Sequence, residues 1–141
     1  MKTIMFKVEF PWKKPLSRVV ELREDQTLND LHLAIQDVFG WDDDHPYIFS
    51  LAQRSKRFRN PEAEYLDPRV ESFSGQHSAA AATLGSLGLR ARRTFRYLFD
   101  FGDNLLHTVT VLGAGEVEAG VEYPRLLEKQ GQNAHQYAPW S

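Results

Sequence analysis

Four aromatic side chains, Phe95, Tyr97, Phe99 and Phe101, occupy every second position in the stretch from Thr94 to Phe101. A period of two puts all four on one face of an extended chain, so the segment predicts a strand whose aromatic face must be covered by another layer. Gly102-Asp103-Asn104 supplies turn residues, and His107 to Leu112 returns with Val109 and Val111 alternating. The two runs read as a hairpin. Burial then selects its register. A loop from Gly102 to Leu106 sets Phe101 against His107, Phe99 against Val109 and Tyr97 against Val111, which keeps the large apolar side chains together; a slip of one residue sends Val109 and Val111 to the other face. The expectation is that His107 lies core-side beside Phe101 and that Asp100 points away from it.

The covering layer is predicted as one helix. Thr27 before Leu28, with Asp30 three positions on, is a capping-box pattern in which each side chain satisfies an orphan amide at the helix start. Leu28, Leu31, Ala34, Ile35, Val38 and Phe39 recur at helical spacing as an apolar stripe, and Gly40 supplies the stop. Ahead of it, Ile4, Phe6, Val8 and Phe10 alternate with Met5, Lys7 and Glu9, and Arg18 to Arg23 resumes the alternation with Val20 and Leu22 on one side. These predict a first hairpin. Tyr47 to Gln53 reads as a third strand, residues 54–90 as a long, mostly irregular insertion with a short helix near Ala79 to Leu87, and the tail carries a helical turn at Pro124 to Lys129. Gly113-Ala114-Gly115 reads as a turn. The fold expected is therefore α+β: a β-grasp-like two-layer domain over residues 1–141, with one main helix on a mixed or antiparallel sheet.

Composition excludes several classes. Hydrophobic residues at 42% and charged residues at 26% are globular proportions, so an ordered core is expected. With no cysteine there is no disulfide, no thiolate metal site and no cysteine nucleophile, which fits a cytoplasmic compartment. No apolar run approaches the ~18 residues of a membrane span, and Met1-Lys2-Thr3 leads straight into a strand rather than a signal-peptide core. The net charge of -2 gives no overall basic field toward nucleic acid or membrane, so such binding would need a local patch.

The residues resemble a known family, the plasmid pRiA4b ORF-3-like (Ri-plasmid open-reading-frame-three-like) proteins. The first block is Thr27-Leu28, Leu31-His32 and Ile35-Gln36 running into Phe39-Gly40-Trp41-Asp42-Asp43 and His45. The second is Thr83-Leu84, Leu87 and Leu89 leading to Phe95, Tyr97, Phe99-Asp100-Phe101-Gly102-Asp103-Asn104 and His107; the third is Tyr123-Pro124. The chain departs from the family pattern at Leu105, where tryptophan is usual, and lacks a Cys-Pro-Pro-Glu-Asp segment. The resemblance implies the fold and a plasmid or mobile-element setting, and it implies no catalytic residues.

Candidate chemistry is sparse. Asp100-Phe101-Gly102 spells a kinase metal triplet, but the chain has no glycine-rich loop and no His-Arg-Asp loop, and no serine sits in a nucleophile-elbow context. The acidic run Asp42, Asp43, Asp44 and His45 could meet Asp100, Asp103 and His107, which makes Asp43, His45, Asp103 and His107 candidate metal ligands. The plainer reading is that these carboxylates cap turns and the histidines bond to neighbours. His32 reads as a satisfied boundary histidine, Trp41 as a core anchor, and Leu33 as an exposed leucine on the helix. Two basic clusters, Arg54, Lys56, Arg57 and Arg59, then Arg90, Arg92, Arg93 and Arg96, could grip a phosphate backbone if they share a surface, or could be solvated loop and strand-edge charges.

The function expected is a non-enzymatic protein-interaction module of a mobile-element-borne family, using its sheet edge or its insertion, with a protein partner and no cofactor. Two alternatives stand beside it: a nucleic-acid-associated accessory factor of mobile elements, and a metal-dependent enzyme using the Asp/His cluster.

Overall fold

A computed structural model of the chain describes residues 1–11, 16–52, 63–70, 75–102 and 104–131. Among these, the strands are β1 (Lys2–Phe10), β2 (Leu16–Arg23), β3 (Tyr47–Ser50), β4 (Glu64–Leu66), β5 (His77–Ser78), β6 (Thr94–Phe99), β7 (Leu105–Glu116) and β8 (Arg125–Gln130), with helix α1 at Leu28–Phe39. They form one sheet in the order β5-β4-β3-β6-β7-β1-β2-β8. The neighbours pair antiparallel except β4 and β5, which are parallel. The protein is thus mixed α+β, with one helix and an eight-strand sheet among the described residues.

Helix α1 begins and ends where its residues dictate. The Asp30 amide donates to Thr27 Oγ1 and the Thr27 amide to Asp30 Oδ2, closing the capping box. The next orphan amides are met by the insertion: Leu28 N–H donates to the Ala82 carbonyl and Asn29 N–H to that of Ala79. Gly40 takes the left-handed conformation at φ 73°, and Trp41 N–H returns to the Gln36 carbonyl. Leu28, Leu31, Ile35 and Phe39 are fully buried against Phe6, Val8, Val20, Leu22, Phe95, Tyr97, Phe99, Val109 and Val111. The alternation along each strand therefore closes one face of the sheet beneath α1.

At the helix end a buried cation does the joining. Arg18 Nε donates to the Val38 carbonyl, and Nη1 donates to the carbonyls of Ser17 and Gln130. The guanidinium lies 5.2 Å over the Phe39 ring. Helix end, β2 and β8 are tied to one side chain.

Several expectations are corrected. The Gly113-Ala114-Gly115 turn is instead strand, because β7 continues along β1 with Gly113 opposite Met5 and Gly115 opposite Thr3. A Cβ at Gly115 would stand 2.8 Å from Thr3 Oγ1, so glycine is what permits that approach. The helical turn at Pro124 to Lys129 is strand β8 on β2, with Leu127 the extra residue of a bulge between Leu126 and Glu128. The short helix near Ala79 to Leu87 is a 3-10 turn at Leu84–Leu87, and the described part of the irregular insertion contributes β4 and β5.

The hairpin register is also shifted. Phe99 pairs with Leu105, Tyr97 with His107 and Phe95 with Val109. Asp100 and Asn104 take left-handed φ of 60° and 56°, Asn104 N–H donates to the Asp100 carbonyl, and Gly102 N–H donates to Asp100 Oδ1. Asp and Asn tolerate that conformation and begin such turns, so the turn falls two residues earlier than burial alone suggests. The shift of two preserves which face of each strand is buried. Phe101 moves out to the turn, 46% exposed, and Leu105 takes its place in the core.

Candidate functional site

Two features bear on function: a polar clasp at one corner of the helix-bearing face, and the sheet face opposite α1. The clasp is centred on His32, which α1 presents inward from the margin of its stripe. The ring is 1% exposed and stacks on Tyr47 with centroids 3.8 Å apart. Its Nε2 donates to Asp43 Oδ1 at 2.8 Å, because a carboxylate only accepts; Nδ1 then accepts from the Tyr97 hydroxyl at 2.7 Å. Tyr97 in turn accepts from Gln36 Nε2, and Gln36 Oε1 takes the Asp43 amide. Burial holds the His32 pKa below its ordinary value despite the favourable contact with Asp43.

The insertion closes the clasp. Arg69 Nη2 donates to Asp43 Oδ1 at 2.9 Å and to Asp67 Oδ2 at 2.7 Å, and Arg69 Nε reaches both oxygens of Asp67. Burial pushes the Asp67 carboxyl up, but the hydrogen bonds from Arg69 outweigh it and leave the pKa below the usual carboxylate value. Burial also raises Tyr47, whose hydroxyl donates to Asn29. Every polar group at the centre of this corner has a partner, so the arrangement orients and locks rather than offering a free base. It fastens α1, the loop after it, the insertion and β6 together.

Of the candidate metal ligands, Asp43 lies in this clasp, and His45 is beside Asp44 at 2.9 Å and Asp100 at 3.8 Å. His107 lies apart, in the core between Phe10, Phe39 and Trp41. Its Nε2 accepts from the Trp41 indole N–H and its Nδ1 donates to the Leu105 carbonyl, so neither nitrogen is open to a ligand. Burial pushes its pKa down to about 4. Asp103 lies outside the described residues, and among the described ones no group of three or more His, Asp or Glu is placed to hold a metal ion. Asp67 and Arg69 are the members sequence reasoning missed. Their signal was Asp67-Pro68-Arg69, an Asp whose side chain accepts the amide two residues on, as Arg69 N–H to Asp67 Oδ1 does here.

The second feature is the face opposite α1. Leu66 pairs with Ile48, Ile48 with Leu98 and Leu98 with Leu106, so four aliphatic side chains form one row across β4, β3, β6 and β7. They become more open along the row, from the buried Leu66 to Leu106 at 37% exposed. A solvated sheet face is ordinarily polar at such positions. The neighbouring row is Glu64, Ser50, Arg96, Thr108, Glu9 and Ser17, and the next is Thr94, Thr110, Lys7, Val19 and Glu128. Arg90, Arg92 and Arg96 are exposed, while Arg93 turns to the Leu51 carbonyl. Arg54, Lys56, Arg57 and Arg59 lie outside the described residues. Among the described residues no helix is long and apolar enough to cross a membrane.

These observations define a mixed α+β protein whose helix-bearing face is closed and whose opposite face, among the described residues, is exposed at Thr94, Arg96, Leu106 and Thr108. The profile of the plasmid pRiA4b ORF-3-like protein family matches residues 2–136, and the chain belongs to that family. It is 30% identical over 104 residues to the uncharacterized protein y4hQ of Sinorhizobium fredii, an alignment covering 74% of this chain and 49% of the relative. The chain thus spans about half the length of that curated relative. In structure it is similar to MM3350, a protein of unknown function from Methanosarcina mazei, with a TM-score of 0.75 and 23% identity over 94% of this chain and 71% of the other. That likeness carries the fold.

Proposed function

We propose that the chain is a non-enzymatic protein-interaction module: a single β-grasp-like domain, in the broad sense of one helix laid across one sheet face, acting in the cytoplasm in a plasmid or mobile-element setting. The observation that carries this reading is the aliphatic row Leu66, Ile48, Leu98 and Leu106 on the face opposite α1, which runs from the buried Leu66 to the exposed Leu106. Ile48 and Leu98 are half-buried and Leu106 is exposed, and apolar side chains left partly in water regain free energy under a partner. The edge strand β8 is a poorer docking place, since its bulge and its Glu128 and Lys129 are the devices that discourage strand addition.

A photo-cross-linking amino acid at Thr108, beside the row, tests the reading in living cells. Discrete protein adducts that disappear when Leu106→Lys is added are expected. Adducts with nucleic acid alone would favour the accessory-factor alternative, which rests on the exposed Arg90, Arg92 and Arg96, and no adduct at all would remove the interaction reading.

A further inference from the structure

We infer that the sheet face opposite α1 pairs with the same face of a second copy of this chain, about a two-fold axis that runs along β7. The inference rests on the interaction reading above and names its partner. Its first support is charge. The outward charges of this face are Arg96 and Lys7 against Glu9, Glu64 and Glu128, a mixture that suits a partner carrying the same mixture. Arg96 and Glu9 both stand opposite Thr108, one on either side of β7, and Thr94 and Lys7 stand likewise about Thr110. A two-fold along β7 keeps each row and exchanges β6 with β1. It brings Arg96 of one copy over Glu9 of the other, twice, and Lys7 over the Thr94 hydroxyl. A two-fold along the row instead sets Arg96 on Arg96 and Glu9 on Glu9, which like-charge repulsion disfavours. Neither Arg96 nor Glu9 forms an ion pair with a described residue of its own chain, so both are available to the other copy.

The second support is where the apolar row is left in water. Exposure rises along it to Leu106 at 37%, and Leu106 is the member that lies on β7. The same axis therefore sets Leu106 against its own counterpart, with the half-buried Leu98 of each copy beside the pair. The end of the row that a single copy leaves exposed is the end that pairing covers.

The third support is shape. The main-chain groups of β6, β7 and β1 are used in ladders on both sides of each strand, so an occupant must satisfy its own backbone, as a second sheet does. Thr108 and Thr110 are short side chains along the axis, while Arg96 and Glu9 together are long enough to span the ~10 Å between stacked sheets. The patch is small. Four strands by three rows give a contact of about 20 Å by about 20 Å, roughly half the standard area per partner, so the dimer is weak and forms at tens of micromolar or above.

The test is sedimentation of the full chain, which should show a monomer–dimer equilibrium between about 10 µM and about 500 µM. Arg96→Glu and Glu9→Arg should each weaken dimerisation about tenfold, since each sets like charges face to face at both contacts. An equimolar mixture of the two variants should restore it, because the mixed dimer has opposite charges at both contacts. No contact within one chain gives that result. Leu106→Lys should abolish the dimer, with thermal melting unchanged as the control for folding; should its melt shift, the charge variants decide alone. A chain that stays monomeric to about 500 µM overturns the inference, as does a dimer that the charge variants leave intact, or a mixture that pairs no better than its parts. If the Thr108 cross-linker captures a different protein while the chain stays monomeric, this inference falls and the interaction reading survives. Capture of a second copy of the chain supports both, and no adduct from a monomeric chain removes both.

Discussion

The indole N–H of Trp41 donates to Nε2 of His107 at 3.1 Å, while Nδ1 donates to the Leu105 carbonyl at 2.9 Å, so the core holds this imidazole in its neutral form. Unfolded, the ring titrates near 6.5; folded, near 4. Between those values the unfolded chain binds the extra proton, so the stability from neutral His107 is fully present above pH 6.5 and is lost as pH falls through the window toward 4. A gap of that size corresponds to about 3 kcal/mol. His32, also lowered by burial, acts with the same sign. Urea unfolding between about pH 7 and about pH 4.5 should show a falling midpoint, and His107→Gln should flatten the slope. A slope that survives the substitution intact would assign the titration elsewhere.

The stripe of α1 gives a second test. Ile35 is fully buried in the cluster that contains Phe6 and Phe99, whereas Leu33, two residues earlier, is exposed. Ile35→Ala should cost about 2–5 kcal/mol and Leu33→Ala about 0.5 kcal/mol or less. Similar losses at both positions would contradict the orientation of the helix.

Arg18 gives a third. Replacing it by Leu strips donors from the carbonyls of Val38, Ser17 and Gln130, and should cost about 2–4 kcal/mol. Amide exchange in β8 should quicken ahead of that in β6. Arg18→Lys should recover little, because an ammonium lacks the planar fork that reaches helix end and β8 together. Equal protection of β8 in the wild type and Arg18→Leu would show that the tie to Gln130 is immaterial.

A fourth compares two glycines of β7. A Cβ at Gly115 meets Thr3 Oγ1 at 2.8 Å, and Thr3 is pinned by its hydrogen bond to Glu21; at Gly113 the nearest atom is the flexible Met5 methyl at 3.9 Å. Gly115→Ala should therefore cost about 1–3 kcal/mol and Gly113→Ala less than about 1 kcal/mol. Thermal melts of the two variants decide the matter, and the reverse order would refute the close approach of β7 to β1.

The sequence was legible where one local pattern dominated. The helix was readable at both ends because the Thr27 and Asp30 pair and Gly40 are local signals that the fold leaves in charge. The buried face of β6 and β7 was readable for the same reason, since Tyr97, Phe99, Val109 and Val111 keep strict alternation. Register was not, because parity decides which face is buried while Asp100 and Asn104 decide where the turn falls. Strand β8 was hidden by its bulge, which sets Leu126 and Leu127 side by side, and the end of β7 by glycines whose need arises only once Thr3 stands opposite. The clasp was half legible: His32 and Asp43 were in view, but nothing local joins them to Arg69, 26 residues beyond Asp43.

Strand β1 lies between β2 and β7, and β2 lies between β1 and β8. The arrangement has a temporal consequence. As the chain leaves the ribosome, the first hairpin and α1 emerge early, yet one side of β1 waits for Leu105 to Glu116 and one side of β2 waits for Arg125 to Gln130. Until then two inner ladders of the finished sheet are bare edges, and the Arg18 guanidinium lacks its acceptor 112 residues downstream. Such distant pairings slow folding and leave the nascent chain open to wrong strand partners. The early-made half of this protein is the half most in need of protection during synthesis.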